Sequence, residues 1–306
     1  MKTIFVILFL SFTGAVFAEP PDSLKTKAVL LNSKKTILRE VAVLPKILKE
    51  ASGLEYTGAH LWSHNDDGIP ALYCLDSAAN LVRAVQLNSV NKGWEDLTRD
   101  DAGNIYIGGF GNNKNDKREL KIYRLPNPEA INDPVTTPEI IQYSYSDQKH
   151  FPPDKTNKNF DVDAFFELNG SLYLFTKNRS SPFVGYSKVY RLSATPGTHV
   201  AQLIDSLYVG DGPMINNWIT SADISPDKKT VALLFHDRIW FIRGFGEKKF
   251  SSGKIYELRL NHYTHKAGLC FRDNETLFIV DELEANILGG KLYTLDLREI
   301  RDQLKP

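Results

Sequence analysis

The chain is 306 residues long and carries 37 Lys and Arg against 37 Asp and Glu. A balanced charge gives no broad positive field, which argues against a general nucleic-acid or membrane-surface binder. The length suits one large all-β domain.

The first residues have the pattern of a secretory signal peptide. Met1-Lys2 supplies a positive charge, Ile4 to Leu10 is continuously apolar, and Val16-Phe17-Ala18 offers small residues to a signal peptidase. The run is too short to stay as a span, and no later stretch approaches the ~18 apolar residues that a span needs. No cysteine follows the run, so a lipid anchor is not expected. Residues 1–18 are therefore predicted to be removed, leaving 19–306 as one soluble, monomeric domain, secreted or periplasmic.

Beyond this segment the sequence is dense in Tyr, Phe, Val, Ile and Leu in short runs, with no sustained 3.6-residue apolar period. Turn signals such as Asp66-Asp67-Gly68, Asn169-Gly170 and Ser225-Pro226-Asp227 separate the runs, which predicts antiparallel strands. Thr36 to Leu44 comes first, as a strand with no immediate partner. A repeating unit follows. Its first strands start at Glu50-Ala51-Ser52-Gly53-Leu54, Gly93-Trp94-Glu95-Asp96-Leu97, Asp161-Val162-Asp163-Ala164-Phe165, Thr220-Ser221-Ala222-Asp223-Ile224 and His265-Lys266-Ala267-Gly268-Leu269. Each leads through a turn to a second strand and then to a third with an aromatic centre, such as Lys121-Ile122-Tyr123-Arg124 or Lys188-Val189-Tyr190-Arg191. The first four units have a fourth strand. The last lacks one, and the N-terminal strand is the economical way to complete it. The expected fold is a five-bladed β-propeller closed by that strand, with six blades as the alternative if the loops Asn127 to Pro138 and Asp147 to Asn159 conceal another.

In such a ring the starts of first strands and the ends of second strands share one channel mouth. Glu50, Glu95, Asp163 and Asp223 are thereby candidates for a hard-cation site, with Ca²⁺ the fitting ion for an oxygen-rich set; the same acids can equally cap turns and satisfy backbone N–H groups. Asn65, Asp66, Trp94, Asn112, Asn113, Lys177 and Arg179 are candidates for ligand binding. The two basic groups fit an anion or simple pairing with the neighbouring acids. Trp218 is a further candidate floor for a pocket. His64 and His265 are candidate acid–base groups, against a purely structural role for either. No Gly-x-Ser-x-Gly elbow and no His-Glu-x-x-His is present, which argues against common serine hydrolases and zincins. Gly108 to Asn113 ends a strand rather than opening a helix, so it is not a phosphate loop. Cys74 and Cys270 lie in apolar runs and are expected to be buried thiols, although export would permit a disulfide.

The stretch Glu50 to Leu54 with Leu61-Trp62-Ser63-His64-Asn65-Asp66, then Trp94-Glu95-Asp96-Leu97 and Ile105 to Asn113, resembles a bacterial group of secreted propellers. That group is close to the SdiA-regulated family and to proteins labelled as having esterase-like phytase activity. Asp161 to Phe165 and Ile219 to Pro226 fit the same pattern. The resemblance implies a propeller with an acidic channel mouth that can hold Ca²⁺. Gly109 and Ala267 stand where that pattern carries acids, which thins the cluster. The expectation is a propeller binding a small ligand or a cell-envelope partner at the mouth. Two alternatives stay open: a divalent-metal-dependent hydrolase of esters, lactones or phosphoesters, and an inert scaffold.

Overall fold

Asn169 and Gly170 both adopt positive φ, 52° and 77°, and form the two-residue turn that joins Asp161–Leu168 to Ser171–Lys177. This is the hairpin geometry that an Asn-Gly pair favours, because its twist matches that of the flanking strands. The computed structural model describes residues 27–32 and 38–305; the predicted signal peptide lies outside them.

The described chain is all-β and runs as consecutive four-stranded antiparallel meanders. The first comprises Ala51–Tyr56, Leu61–Asn65, Ala71–Leu75 and Leu81–Leu87. Next come Leu97–Arg99, Ile105–Gly109, Leu120–Leu125 and Glu139–Tyr145. The hairpin above continues into Tyr186–Ser193 and Gly197–Tyr208. Ser221–Ile224, Thr230–Leu234, Arg238–Arg243 and Lys254–Arg259 follow. Lys266–Asp273, Thr276–Asp281 and Lys291–Asp296 make three strands of the last sheet, and Leu38–Val43 supplies its fourth, with Leu38 opposite Leu295 and Val43 opposite Lys291. Strands from the two ends of the described chain thus share one sheet, as the unpartnered N-terminal strand predicted.

The first strands pack side by side in a closed order: 51–56 on 97–99, then 161–168, 221–224, 266–273 and back to 51–56. The apolar clusters have the same circular order, each filled by side chains from two adjacent sheets. Trp62, Leu72, Trp94, Ile107 and Tyr123 sit between the first two sheets, and Leu54, Tyr73, Phe278 and Val280 between the last and the first. Cover on both faces leaves every residue of Asp161–Leu168 buried, the acids Asp161, Asp163 and Glu167 included. Phe250 illustrates the packing density, with its ring 5.2 to 5.8 Å from those of Phe166, Tyr173, Phe175 and Phe245. Each such aromatic pair contributes roughly 0.5–1.5 kcal/mol beyond area burial.

Outer edges are covered by parallel additions. Val29–Leu30 lies along Lys254–Arg259, Val135–Thr136 along Leu81–Leu87, and Glu139–Tyr145 along the first half of Gly197–Tyr208. Covering removes unpaired edge groups that would otherwise recruit other chains. Cys74 and Cys270 are free, buried thiols in different apolar clusters.

Candidate functional site

Along every inner strand, early residues face one end of the channel and later residues the other. Ser52, Glu95, Asp163, Thr220 and Ala267 line a cavity of about 330 Å³ at one mouth. Glu55, Arg99, Glu167, Asp223 and Phe271 line a cavity of about 60 Å³ at the other. Between the two the strands close on the axis. A Cβ on Gly53 would lie 2.9 Å from Leu97 N, and one on Gly268 would lie 2.9 Å from the Gly53 carbonyl carbon. Asp96, fully buried at this waist, accepts hydrogen bonds from Leu97 N, Phe165 N, Ala222 N and Ser221 Oγ at 2.9 to 3.2 Å.

Antiparallel pairing returns the ends of second strands to the larger mouth. Asp161 pairs with Lys177, and Lys266 with Asp281, so Arg179 and Glu282 follow directly at the rim. Asp66, Asn113 and His236 reach it the same way, loops add Trp218, Tyr263 and His265, and the short strand Leu283–Glu284 adds Glu284. The basic groups are already committed. The Lys177 ammonium is paired with the Asp163 carboxylate. Arg179 Nε meets Asp161 Oδ2 at 2.5 Å, and its guanidinium also bonds Asn113 Oδ1. Both cations lie over the Trp218 ring, Arg179 at 4.3 Å and Lys177 at 5.3 Å from its centroid, and Trp218 Nε1 donates to Asn178 O at 3.0 Å.

The acids are less well satisfied. Burial pushes the Glu95 carboxyl up to about 8, with Asp66, Asp161 and Glu282 adding to the rise and Lys177 opposing it. Burial, then Asp67, Glu282 and Glu50, raise Asp66 to about 6. Asp66 Oδ1 is buried with no hydrogen-bond partner. His236 is 4 % exposed; burial, then His265 and Lys177, hold it down near 3, so it is neutral, and its Nδ1 has no partner. His265 Nδ1 sits 3.1 Å from Glu282 Oε2 and 3.9 Å from Glu284 Oε1, with its ring 5.1 Å from that of His236. Lys266, buried beneath, donates to His236 O, His262 O and Thr264 Oγ1 at 2.9 to 3.0 Å, which fixes the loop carrying Tyr263 and His265.

Of the residues singled out in the sequence, Asp66, Glu95, Asn113, Asp163, Lys177, Arg179, Trp218 and His265 converge on this cavity. Others do not. His64 is fully buried, with its Nδ1 3.1 Å from Asn65 O, and burial lowers it to about 4; its ring meets Trp94 edge-on and faces Gly53 rather than the cavity. Trp94 is likewise core, between His64 and Tyr123. Asn65 accepts from Glu50 N and donates to Ile47 O. Asn112 bonds Phe160 O and Lys117 N, so both amides are structural. Glu50 pairs with Lys49 at 3.1 Å, outside the cavity wall.

Asp223 belongs to the opposite end. It accepts from Phe271 N and Ile224 N, and it helps burial to raise Glu55 to about 8 against the pull of Arg99, 3.4 Å away. The four carboxylates assigned to Ca²⁺ therefore do not form one donor set. Glu95 and Asp163 share their cavity with the Lys177 ammonium, which supplies positive charge where the ion would sit. Among the described residues no group of three or more His, Cys, Asp or Glu side chains is arranged to hold a metal. Tyr263 and Glu284 were not foreseen, because a loop and the short strand Leu283–Glu284, both outside the four-stranded repeat, carry them.

No protein-family model and no curated protein matches the chain, so the resemblance to the SdiA-regulated and phytase-like propellers has no family match behind it. Similar solved structures include a gluconolactonase from Xanthomonas campestris (13% identity, 78% of this chain and 68% of that one, TM-score 0.41). A virginiamycin B lyase from Staphylococcus aureus matches at 13% identity over 83% of this chain and 68% of that one, with TM-score 0.39. An aldose sugar dehydrogenase from Streptomyces coelicolor matches at 10% identity over 85% and 97%, with TM-score 0.47. Likeness at this level carries nothing about ligand or reaction, and the propeller-like architecture rests on the chain's own ladders and circular core.

Proposed function

We propose that this chain is an exported five-bladed propeller that binds a small polar molecule, or a small polar group of a cell-envelope component, in the larger mouth. Five consecutive meanders among the described residues support the blade number, and the Met1 to Ala18 pattern supports export. The observation that carries the binding reading is the pair of buried, unpartnered atoms Asp66 Oδ1 and His236 Nδ1 on side chains that line one cavity. Buried polar groups are normally paired, so a bound molecule or ordered water is what completes such a wall. A thermal-unfolding screen of small polar molecules tests the reading: a binder raises Tm with concentration and perturbs Trp218 fluorescence. A screen without any binder removes it.

One observation favours a second reading, metal-free acid–base chemistry. The Glu282 carboxylate beside His265 Nδ1 holds the tautomer with the proton on Nδ1, leaving Nε2 as the basic nitrogen. Glu95 stays protonated near neutral pH and can act as the acid. Ester or lactone turnover that survives EDTA and is lost in His265→Gln supports this reading; no turnover with any such substrate leaves binding alone.

A further inference from the structure

The side chains left without a cationic partner in the larger mouth are acids. Lys177 is paired with Asp163, and Arg179 with Asp161 and Asn113, whereas Asp66 and Glu95 have no basic partner among the described ion pairs and Glu284 reaches only His265, at 3.9 Å. Glu282 is shared with His265. Independently of these acids, His236 is buried on the cavity wall with a neutral ring and an unpartnered Nδ1. Resting on the binding reading above, we infer that the ligand is a small organic cation bearing a primary ammonium group.

Three features separate this class from its rivals. An anion would face Asp66, Glu95 and Glu284 while Lys177 and Arg179 stay occupied by their own carboxylates. A metal ion lacks a convergent donor set, as the placement of Glu50 and Asp223 shows. A quaternary ammonium prefers open aromatic faces, and the Trp218 face is taken by Arg179 and Lys177. A primary ammonium carries N–H donors instead, which suit the free oxygen of Asp66 and the ring nitrogen of His236, and its positive charge favours loss of the Glu95 proton to solvent so that this carboxylate accepts as well. The cavity, about 330 Å³, takes a molecule the size of a diamine or an amino sugar.

The test is titration calorimetry of the mature protein with putrescine, glucosamine, choline, glucose, gluconate and CaCl2 at one pH and low salt. The expected result is saturable binding of putrescine or glucosamine, with choline, glucose, gluconate and Ca²⁺ at least about tenfold weaker. Glu95→Gln should weaken the amine by a similar factor, and circular dichroism of that variant checks that it is folded. Tighter binding of choline, glucose, gluconate or Ca²⁺ than of either amine overturns the inference but leaves a ligand-binding mouth. Binding of none of the six overturns the inference, and it removes the binding reading as well when the wider screen is also empty.

Discussion

Ser221 Oγ donates to Asp96 Oδ1 at 2.9 Å and accepts from Leu269 N at 3.0 Å. Through this hydroxyl and the bonds from Phe165 N and Ala222 N, one buried carboxylate links inner strands of four consecutive sheets. The ring is thus held at its waist by side chain to backbone bonds that sheet pairing cannot supply, since adjacent propeller sheets share no ladder at the axis.

Asp96→Ala should therefore cost about 3 kcal/mol or more, since each buried donor left unpaired costs roughly 1–3 kcal/mol. Asp96→Asn should be nearly as harmful, because both oxygens face donors and an amide nitrogen must oppose one pair of them. Urea denaturation measures both. A loss below about 0.5 kcal/mol in either variant, the scale of a neutral surface change, would show that Asp96 does not tie the strands.

Gly53 makes a second, steric prediction. An added Cβ would meet His64 Nε2 at 2.8 Å and Leu97 N at 2.9 Å, and the latter is backbone that cannot rotate away. Gly53→Ala is expected to destabilise by roughly 1–3 kcal/mol, as overpacking does. Gly170→Ala serves as the contrast, since its cost comes from the positive φ of 77° and not from a clash. Equal circular dichroism melts for wild type and Gly53→Ala would contradict the close approach.

The pH dependence of stability has a definite sign. Glu55 and Glu95 stand near 8, Asp223 near 7 and Asp66 near 6, all above their unfolded values. The folded state holds those protons more tightly, so this contribution is complete below about pH 4 and is lost as pH rises through 6 to 8. His64 and His236, held near 4 and 3, act oppositely and only below their unfolded pKa of about 6.5. Tm is expected to fall between pH 6.5 and 8.5, and Glu55→Gln to flatten that fall. A Tm that rises over this interval contradicts the buried, raised carboxyls.

The thiols of Cys74 and Cys270 are free and buried in separate clusters. A thiol reagent should find none accessible in the folded protein and two per chain after denaturation. Two thiols missing after denaturation would indicate a disulfide.

Much of this was legible in the sequence. The recurring first strands, the Asn169-Gly170 hairpin and the spare strand before Leu44 announced a ring with a shared end, and eight mouth residues followed from that geometry. What failed was phase. Thr220, not Asp223, is the counterpart of Ser52 and Asp163, as the pairing of Ser221 with Leu234 fixes; three residues along, Asp223 has crossed the waist with Glu55 and Arg99. His64 and Trp94 failed for a related reason. Positions near strand ends alternate between channel and sheet interior, and only packing against Gly53 and Tyr123 decides which.

The most direct measurement compares one isosteric change at the two ends of the channel. Glu95→Gln and Glu55→Gln each remove a buried carboxyl of similar raised pKa, one from the larger mouth and one from the smaller cavity. With the tightest binder among putrescine, glucosamine, choline, glucose and gluconate, Glu95→Gln should weaken binding about tenfold or more, one unit of differential interaction, and Glu55→Gln should leave it unchanged. Binding that survives Glu95→Gln intact, or that is lost with Glu55→Gln instead, would contradict the assignment of the larger mouth as the ligand site.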